Sequence, residues 1–312
     1  MRAGAFALTL LSAPLHVHVL QALRDEPRPL ADLRRAAGSP PQTTMRGHLR
    51  TLTQLEVVER RQQNPFPGAV EYELTRKGQD LVAVSSVLGR WLSLAPHGSI
   101  ELGSAEAKSA VRALVAGWDA RVVRALAARP LALTELSRLI SELSYPSLER
   151  RLGAMRLAGQ IERLPNGERG TPYQATTWLR QAMVPLTLAA RWERSHVPDK
   201  TTAISKMDVE SVFLLTVPTL SARDDFSGRC RLAVESRNDR THHLAGVVTT
   251  LDHGEVVACT SRLQGEVEAS ATGSAASWLR AVFDGEDCLD LGGETALALA
   301  LVDALRTGLV LA

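Results

Sequence analysis

Aromatic residues make up only 4% of this 312-residue chain, so its cores must be filled by Leu, Ala and Val rather than by rings. Lysine is scarce as well: of 36 basic residues, only Lys77, Lys108, Lys200 and Lys206 are lysines. Arg favours planar, bidentate contacts to phosphate and guanine, although a GC-rich coding sequence produces the same bias. The three cysteines, Cys230, Cys259 and Cys288, are odd in number and none stands in a C-x-x-C spacing. That argues against a disulfide framework or a zinc site and for a reduced, cytoplasmic setting. No stretch of about 20 residues is free of the charges and polar breaks that a membrane span excludes; residues 295–312 come nearest, but Asp303 and Arg306 interrupt them. Residues 1–23 are apolar, yet they contain His16 and His18, lack a small-x-small cleavage site and run straight into a helical pattern, so no signal peptide is expected. G-x-S-x-G, phosphate-loop and paired catalytic motifs are all missing. The expectation is a non-enzyme with no catalytic residue, metal or cofactor.

What is present is asymmetric. The net charge of +2 is the balance of +9 over residues 1–200 and −7 over residues 201–312. A basic module joined to an acidic one implies that the first part meets a polyanion.

The first 200 residues also repeat. Displaced by 103, Leu33 falls on Leu136, Leu49 on Leu152, Leu52 on Met155 and Val58 on Ile161. After a two-residue deletion, Tyr72 falls on Tyr173, Thr75 on Thr176 and Trp91 on Trp192. Each copy reads as a helix (15–24; 119–128), a second helix (30–37; 134–142) and a third helix opened by a Ser and Pro signal. That signal is Ser39-Pro40-Pro41 in the first copy and Ser144-Tyr145-Pro146 in the second. The third helices carry apolar stripes at helical spacing: Met45, Leu49, Leu52 and Leu55, then Leu148, Leu152, Met155 and Ala158. A strand pair follows in each (57–61 and 70–74; 160–164 and 172–175), the second joined through Asn166-Gly167, a strong turn signal. A closing helix ends each copy at Trp91 or Trp192. Three helices, a β-hairpin and a closing helix form the winged helix-turn-helix plan.

A helix that enters the DNA major groove needs an apolar face for its own domain and hydrogen-bonding side chains on the other. The first copy offers Gln42, Thr43, Thr44, Arg46 and Arg50 on the helix, with Arg60 and Arg61 on the wing. The second offers Tyr145, Ser147, Arg150 and Arg151, with Arg163 and Arg169 on the wing. Wings meet phosphates or the minor groove, where Arg is favoured. The first copy looks the better reader, because Glu149 and Pro146 intrude on the second helix. Winged helices also serve as dimerisation or docking modules, and an Arg-bearing face is often merely solvated.

The segments SPPQTTMRGHL (39–49), Tyr72-Glu73-Leu74-Thr75 and LSYPSLERRLGAMRL (143–157) resemble the tandem winged-helix regulators of actinobacteria, related to the HxlR and MarR types. The resemblance implies operator binding to double-stranded DNA. Two copies in one chain would make either a monomer with an internal pseudo-dimer or a homodimer.

Past a linker at 198–202 and a helix at 208–220, the period changes to that of strands (229–235, 244–251, 255–261, 266–271), two of them joined by a hairpin turn at Asp252-His253-Gly254. A helix at 274–283, a short strand at 288–291, the turn Gly292-Gly293 and an apolar helix at 294–309 complete the chain. His242-His243 is expected in an exposed turn, without a recognisable metal spacing. The run Thr272-Gly273-Ser274 through Trp278-Leu279, then Gly292-Gly293-Glu294 and the final apolar helix, resembles the sterol-carrier-protein-like domain. That resemblance implies an apolar pocket, and Trp278, Val282, Phe283, Leu297 and Leu301 would line it for a hydrophobic small molecule. The same residues would serve any core.

The expected fold is α+β and multidomain: winged helices at 1–98 and 99–198, and a sterol-carrier-like α/β domain at 199–312. The expected function is a ligand-modulated transcription regulator, more often a repressor. The alternative is a protein that sequesters an apolar molecule and uses its winged helices only as scaffold.

Overall fold

The computed structural model describes residues 3–62, 70–116, 120–165, 171–200, 204–222, 226–238 and 241–311. The chain forms two compact units of mixed α and β structure. One comprises residues 1–116 and 188–202, the other residues 117–187 and 203–312.

The first unit opens with α1 (Ala5–Leu11) and α2 (Pro14–Ala22), an apolar pair bent by 80°. Its apolar side chains, among them Leu8, Leu11, Val17 and Leu20, are buried. Among the described residues no single helix is long and apolar enough to cross a membrane. A two-residue strand, β1 (Arg28–Pro29), leads into α3 (Leu30–Ala36). The chain then turns through Gly38 (φ 78°) and Ser39 (φ 60°). The Ser39 N–H donates to the Arg34 carbonyl (2.8 Å) and the Gly38 N–H to that of Arg35 (3.2 Å). This is a left-handed C-terminal stop for α3, and it corrects the expectation that Ser39 caps the next helix. α4 (Gln42–Gln54) starts behind Pro41, without a side-chain cap.

The stripe Met45, Leu49 and Leu52 of α4 is buried, while Leu55 is only half-buried. β2 (Val58–Gln62) and β3 (Val70–Leu74) pair antiparallel, and β1 adds to β3. Thr75 caps α5 (Arg76–Ser93): its Oγ1 accepts from the Gly78 N–H and donates to the Glu56 carbonyl at 2.6 Å. Gly78 is required there, since a Cβ would lie 2.1 Å from the Val57 carbonyl oxygen. An unforeseen helix, α6 (Ala105–Ala116), packs on α1.

Residues 120–196 repeat the element order of 14–93. They form α7 (Ala120–Ala128), α8 (Leu133–Leu139), α9 (Tyr145–Leu157), β4 (Ile161–Arg163), β5 (Tyr173–Ala175), α10 (Thr177–Gln181) and α11 (Met183–His196). Two details recur with the elements. Leu131 bridges Tyr173 as Arg28 pairs with Tyr72. Thr176 caps α10 as Thr75 caps α5, its hydroxyl donating to the Gly159 carbonyl (2.8 Å). Ser144 holds the N-cap position of α9 but makes no cap bond. The one closing helix expected here is broken at Ala182, because Pro185 has no N–H for the Gln181 carbonyl. The Asn166-Gly167 turn lies outside the described residues.

Residues 188–196 of α11 belong to the first unit and fasten it. Glu193 is fully buried, and its carboxylate accepts the N–H groups of Gly4 (2.8 Å) and Ala7 (2.9 Å). It therefore serves as the N-cap that Gly4 cannot supply to α1. Burial pushes the Glu193 pKa up against those stabilising bonds. Trp192 Nε1 donates to the Lys77 carbonyl (2.9 Å), and His196 Nε2 meets Asp80 at 2.9 Å.

In the second unit, α12 (Lys206–Thr216) starts from a Ser205–Asp208 capping box and ends in a 3-10 turn at Val217–Thr219. A five-stranded sheet follows: β6 (Gly228–Asn238), β7 (Thr241–Asp252), β8 (Glu255–Thr260), β9 (Ala269–Ser274) and β10 (Asp290–Gly293). Its order is β10-β9-β6-β7-β8, antiparallel except for β6 and β9. The turn at His253 (φ 47°) and Gly254 (φ 81°) closes the β7–β8 hairpin as expected. α13 (Ala275–Leu279) and α14 (Thr295–Arg306) pack on the sheet and run on as π-helical turns, Arg280–Asp284 and Thr307–Leu311.

Two sequence readings are corrected here. Gly292 and Gly293 lie in β10 rather than in a turn. A Cβ on Gly293 (φ 66°) would sit 2.0 Å from the Glu268 carbonyl oxygen, so close strand approach explains the pair. His242 and His243 lie in β7 opposite Arg237 and Ser236, because the β6–β7 ladder runs to its end at Asn238 and Thr241.

α12 joins the sheet to α7 and α10 of the preceding segment. Arg124 of α7 pairs with Glu210 of α12 at 2.9 Å, and the Glu210 side chain is only 2% exposed. Burial raises the Glu210 pKa and the neighbouring Arg124 opposes that rise. Arg180 of α10 donates to the carbonyls of Leu214 (3.0 Å) and Leu215 (3.3 Å) at the end of α12.

Candidate nucleic-acid interface

α4 shows why one helix can both anchor and read. With Met45, Leu49 and Leu52 turned inward, Gln42, Thr43, Thr44, Arg46 and Arg50 are all exposed. The hairpin then decides which wing residues join them. In its register Arg60 faces Tyr72, while Arg61 lies across from Glu71. Side chains alternate between faces of a strand, so Arg60, Val70 and Tyr72 share one face and Glu59, Arg61, Glu71 and Glu73 share the other.

The first of these faces looks onto α4. Arg46, Arg50, Thr53 and Gln54 of the helix and Arg60, Val70 and Tyr72 of the hairpin line a groove of about 600 Å³ floored by Leu30 and Leu49. No ion pair holds Arg46, Arg50 or Arg60 among the described residues. Three guanidinium groups thus converge on one cleft, and no described residue takes up their donors. Such a cleft attracts phosphate oxygens and offers bidentate donors to guanine.

Arg61 is differently placed. Its guanidinium pairs with Glu73 at 2.9 Å, on a face crowded with carboxylates. Glu59 beside Glu73 pushes the Glu73 pKa up, since neighbouring carboxylates disfavour each other's charge.

Below α4 lies a pair of imidazoles that the sequence reading did not single out. His16 of α2 meets His48 of α4 edge to face, with ring centroids 4.8 Å apart. His16 Nδ1 lies 3.0 Å from the Leu10 carbonyl oxygen. A carbonyl only accepts, so Nδ1 carries the proton. Nε2 is buried without a partner among the described residues. Burial pushes the His16 pKa down, and His48 adds to the effect. The only sequence signal was a His at a core position of an apolar helix.

On α9 the expected residues are less uniform. Tyr145 and Arg150 are exposed, whereas Ser147 and Arg151 are half-buried. Arg163 donates to the Tyr173 hydroxyl from Nη2 (2.8 Å) and Nε (3.1 Å), its guanidinium 5.2 Å from the ring centroid. Arg169 lies outside the described residues.

The five residues expected to line an apolar pocket are brought together, but as core. Trp278, Val282, Phe283, Leu297 and Leu301 are all buried. Trp278 Nε1 donates to the Ala233 carbonyl (2.8 Å) and its ring meets Phe213 edge to face. A cavity of about 730 Å³ lies instead along the opposite side of α14, walled by Ala296, Leu299, Ala300 and Ala304 with Leu220 and Phe226; among the described residues Asp303 is its one charged lining residue. None of the five borders it. Burial raises the Cys230 and Cys259 thiol pKa values to about 12, which makes both poor nucleophiles. Among the described residues no three His, Cys, Asp or Glu side chains could hold a metal ion.

Residues 11–97 match the HxlR-like helix-turn-helix family. The matched segment runs from the end of α1 past the end of α5 and so contains the three-arginine groove. Among solved structures, the diamide-treated YodB from B. subtilis is 28% identical over 28% of this chain and 87% of its own, with a TM-score of 0.27. No curated protein matches the chain.

Proposed function

We propose that the protein is a DNA-binding transcription regulator, and that its HxlR-like segment reads an operator. One observation carries the proposal: Arg46, Arg50 and Arg60 converge, unpaired among the described residues, on a groove between helix and wing. Gln42, Thr43 and Thr44 extend the reading face at the start of α4, and Arg61 serves the flank of the wing. Tyr145, Ser147, Arg150, Arg151, Arg163 and Arg169 form the corresponding face of a second winged helix. The functional modules are then residues 1–98, 99–198 and 199–312, in a cytoplasmic protein acting as a monomer with an internal pseudo-dimer or as a homodimer.

The finer reading is repression relieved or imposed by an apolar small molecule in the acidic, sterol-carrier-like module. A sheet covered by helices and an open cavity along α14 support it, with a size in the usual range for small-molecule sites. Trp278, Val282, Phe283, Leu297 and Leu301 then form the packed core on the sheet side of α14, and the ligand site lies along the other side of that helix. The ligand changes DNA affinity only if it favours one of two states of the protein.

The test is fluorescence anisotropy with the DNA upstream of its own coding sequence and an unrelated duplex, each at two salt concentrations. Preference for its own DNA, with affinity falling steeply as salt rises, is expected. Equal or absent binding to both duplexes would overturn the proposal and favour the sequestering protein.

A further inference from the structure

We infer that the two helix-turn-helix bodies meet DNA unequally: the first reads bases, the second holds only the phosphate backbone. The protein's target is then an asymmetric site with one base-specific half. The inference rests on the DNA-binding reading above and specifies its partner.

The displacement of 103 that relates the two bodies preserves what packs inward. Met45, Leu49 and Leu52 correspond to Leu148, Leu152 and Met155, and all six are buried. It does not preserve what points outward. Arg46 and Arg50, which line the groove of the first body, correspond to Glu149 and Gly153. Thr43 becomes Pro146, Thr53 becomes Arg156 and Gln54 becomes Leu157, which is 78% exposed. Glu149 in place of Arg46 puts a carboxylate where phosphates or guanine would approach, and Gly153 offers no side chain at all. Glu can accept from cytosine, but neither of the two positions that carry guanidinium groups in the first groove carries one here.

The wings diverge in the same direction. Arg60 faces Tyr72 and Arg163 faces Tyr173, so the cross-strand pair is the same. Arg163 is committed to the Tyr173 hydroxyl through two donors. No such bond holds Arg60 among the described residues. The cations that α9 keeps exposed are Arg150 and Arg156; the helix has no Gln, Asn or Thr, and its other exposed polar side chains are Tyr145 and Glu149. Cations without a patterned set of donors and acceptors beside them bind phosphate and carry little sequence information.

Selection from a pool of duplexes tests this and requires no known operator. A randomised centre about 20 base pairs long has room for two half-sites one helical turn apart. The mass of the selected complex is measured alongside. The expected result is one chain per duplex and one contiguous block of specified base pairs, with no inverted copy. R46A/R50A should flatten that block. R150A/R156A should weaken binding to every selected duplex alike and lower the salt slope by roughly 2, leaving base preference unchanged. A palindromic motif, or loss of preference at particular base pairs in R150A/R156A, would overturn the inference while leaving the regulator intact. Enrichment of no motif at all would defeat the regulator reading, and this inference with it. Melting curves of both double variants separate lost contact from lost fold, since all four side chains are exposed.

Discussion

Arginine does opposite work in the two units. In the helix-turn-helix of the first unit, Arg46, Arg50 and Arg60 face solvent in one groove and satisfy nothing within the protein among the described residues. In the second unit Arg150 and Arg156 stay exposed, but several other arginines are committed within the protein. Arg124 neutralises a buried Glu210, Arg180 closes the end of α12, Arg163 sits on Tyr173, and Arg121 and Arg129 pair with Glu142 and Glu135. Counting basic residues therefore overstates the charge that the second unit can offer a partner. The useful quantity is the number of guanidinium groups whose donors remain free after folding.

Breaking the free set should show most in binding. R46A/R50A should lower operator affinity by about 3 kcal/mol, more than a hundredfold, while leaving Tm within the scatter typical of surface changes; anisotropy and calorimetry on the same preparation check both. Breaking the spent set should do the reverse. Arg124→Ala leaves Glu210 buried without its cation, and because Arg124 is itself 42% exposed the loss should be about 2 kcal/mol, below the range for a fully buried pair. Urea unfolding would detect it, and a midpoint equal to the parent's would mean that water already screens the pair.

The first unit has one fastening of its own to compare. Glu193→Ala strands the buried N–H groups of Gly4 and Ala7 and should cost about 2 kcal/mol, seen as faster exchange of amide protons in α1. A smaller effect comes from His16. Its folded pKa lies below 6.5, so below that pH the unfolded chain takes up a proton that the folded one resists. Stability is complete above pH 6.5 and falls as pH drops towards the folded value. His16→Leu should flatten that slope between pH 7 and pH 5 in thermal melts, and an unchanged slope would assign it to other groups. Least of all should follow from Arg61→Ala, which removes a pair whose guanidinium end is 69% exposed and which is worth less than about 1 kcal/mol; it should change DNA affinity far less than Arg60→Ala does.

Much of this was legible in the residues. The apolar stripes of α4 and α9 marked both helices, because burial at 3.6-residue spacing leaves few alternatives, although Leu55 and Ala158 at the end of each stripe fall just past the helix. The hairpin at His253-Gly254 was equally plain, since few residues accept its backbone angles. What escaped was whatever depends on partners distant in sequence. Ser39 has the chemistry of a cap, but Gly38 beside it invites a left-handed stop for the preceding helix, and the stop prevails. Gly292-Gly293 looks like a turn until β9 is laid against it. Arg60 and Arg61 are equivalent in sequence, and only the hairpin register separates the groove residue from the one paired to Glu73. The cavity along α14 was missed because small residues such as Ala296, Ala300 and Ala304 give no signal until another segment fails to fill the space they leave.

The cap on α1 also has a history in time. Gly4 and the carboxylate that receives its N–H are 189 residues apart. A ribosome adding roughly 5–20 residues per second delivers Glu193 some tens of seconds after α1 has left the tunnel. Throughout that interval α1 must remain an uncapped, fraying helix, and the first unit is completed only when residues 188–202 have been synthesised. Completion of that unit is thereby tied to translation through residue 193, and a chain arrested earlier would carry all the groove's arginines on a unit that cannot yet close.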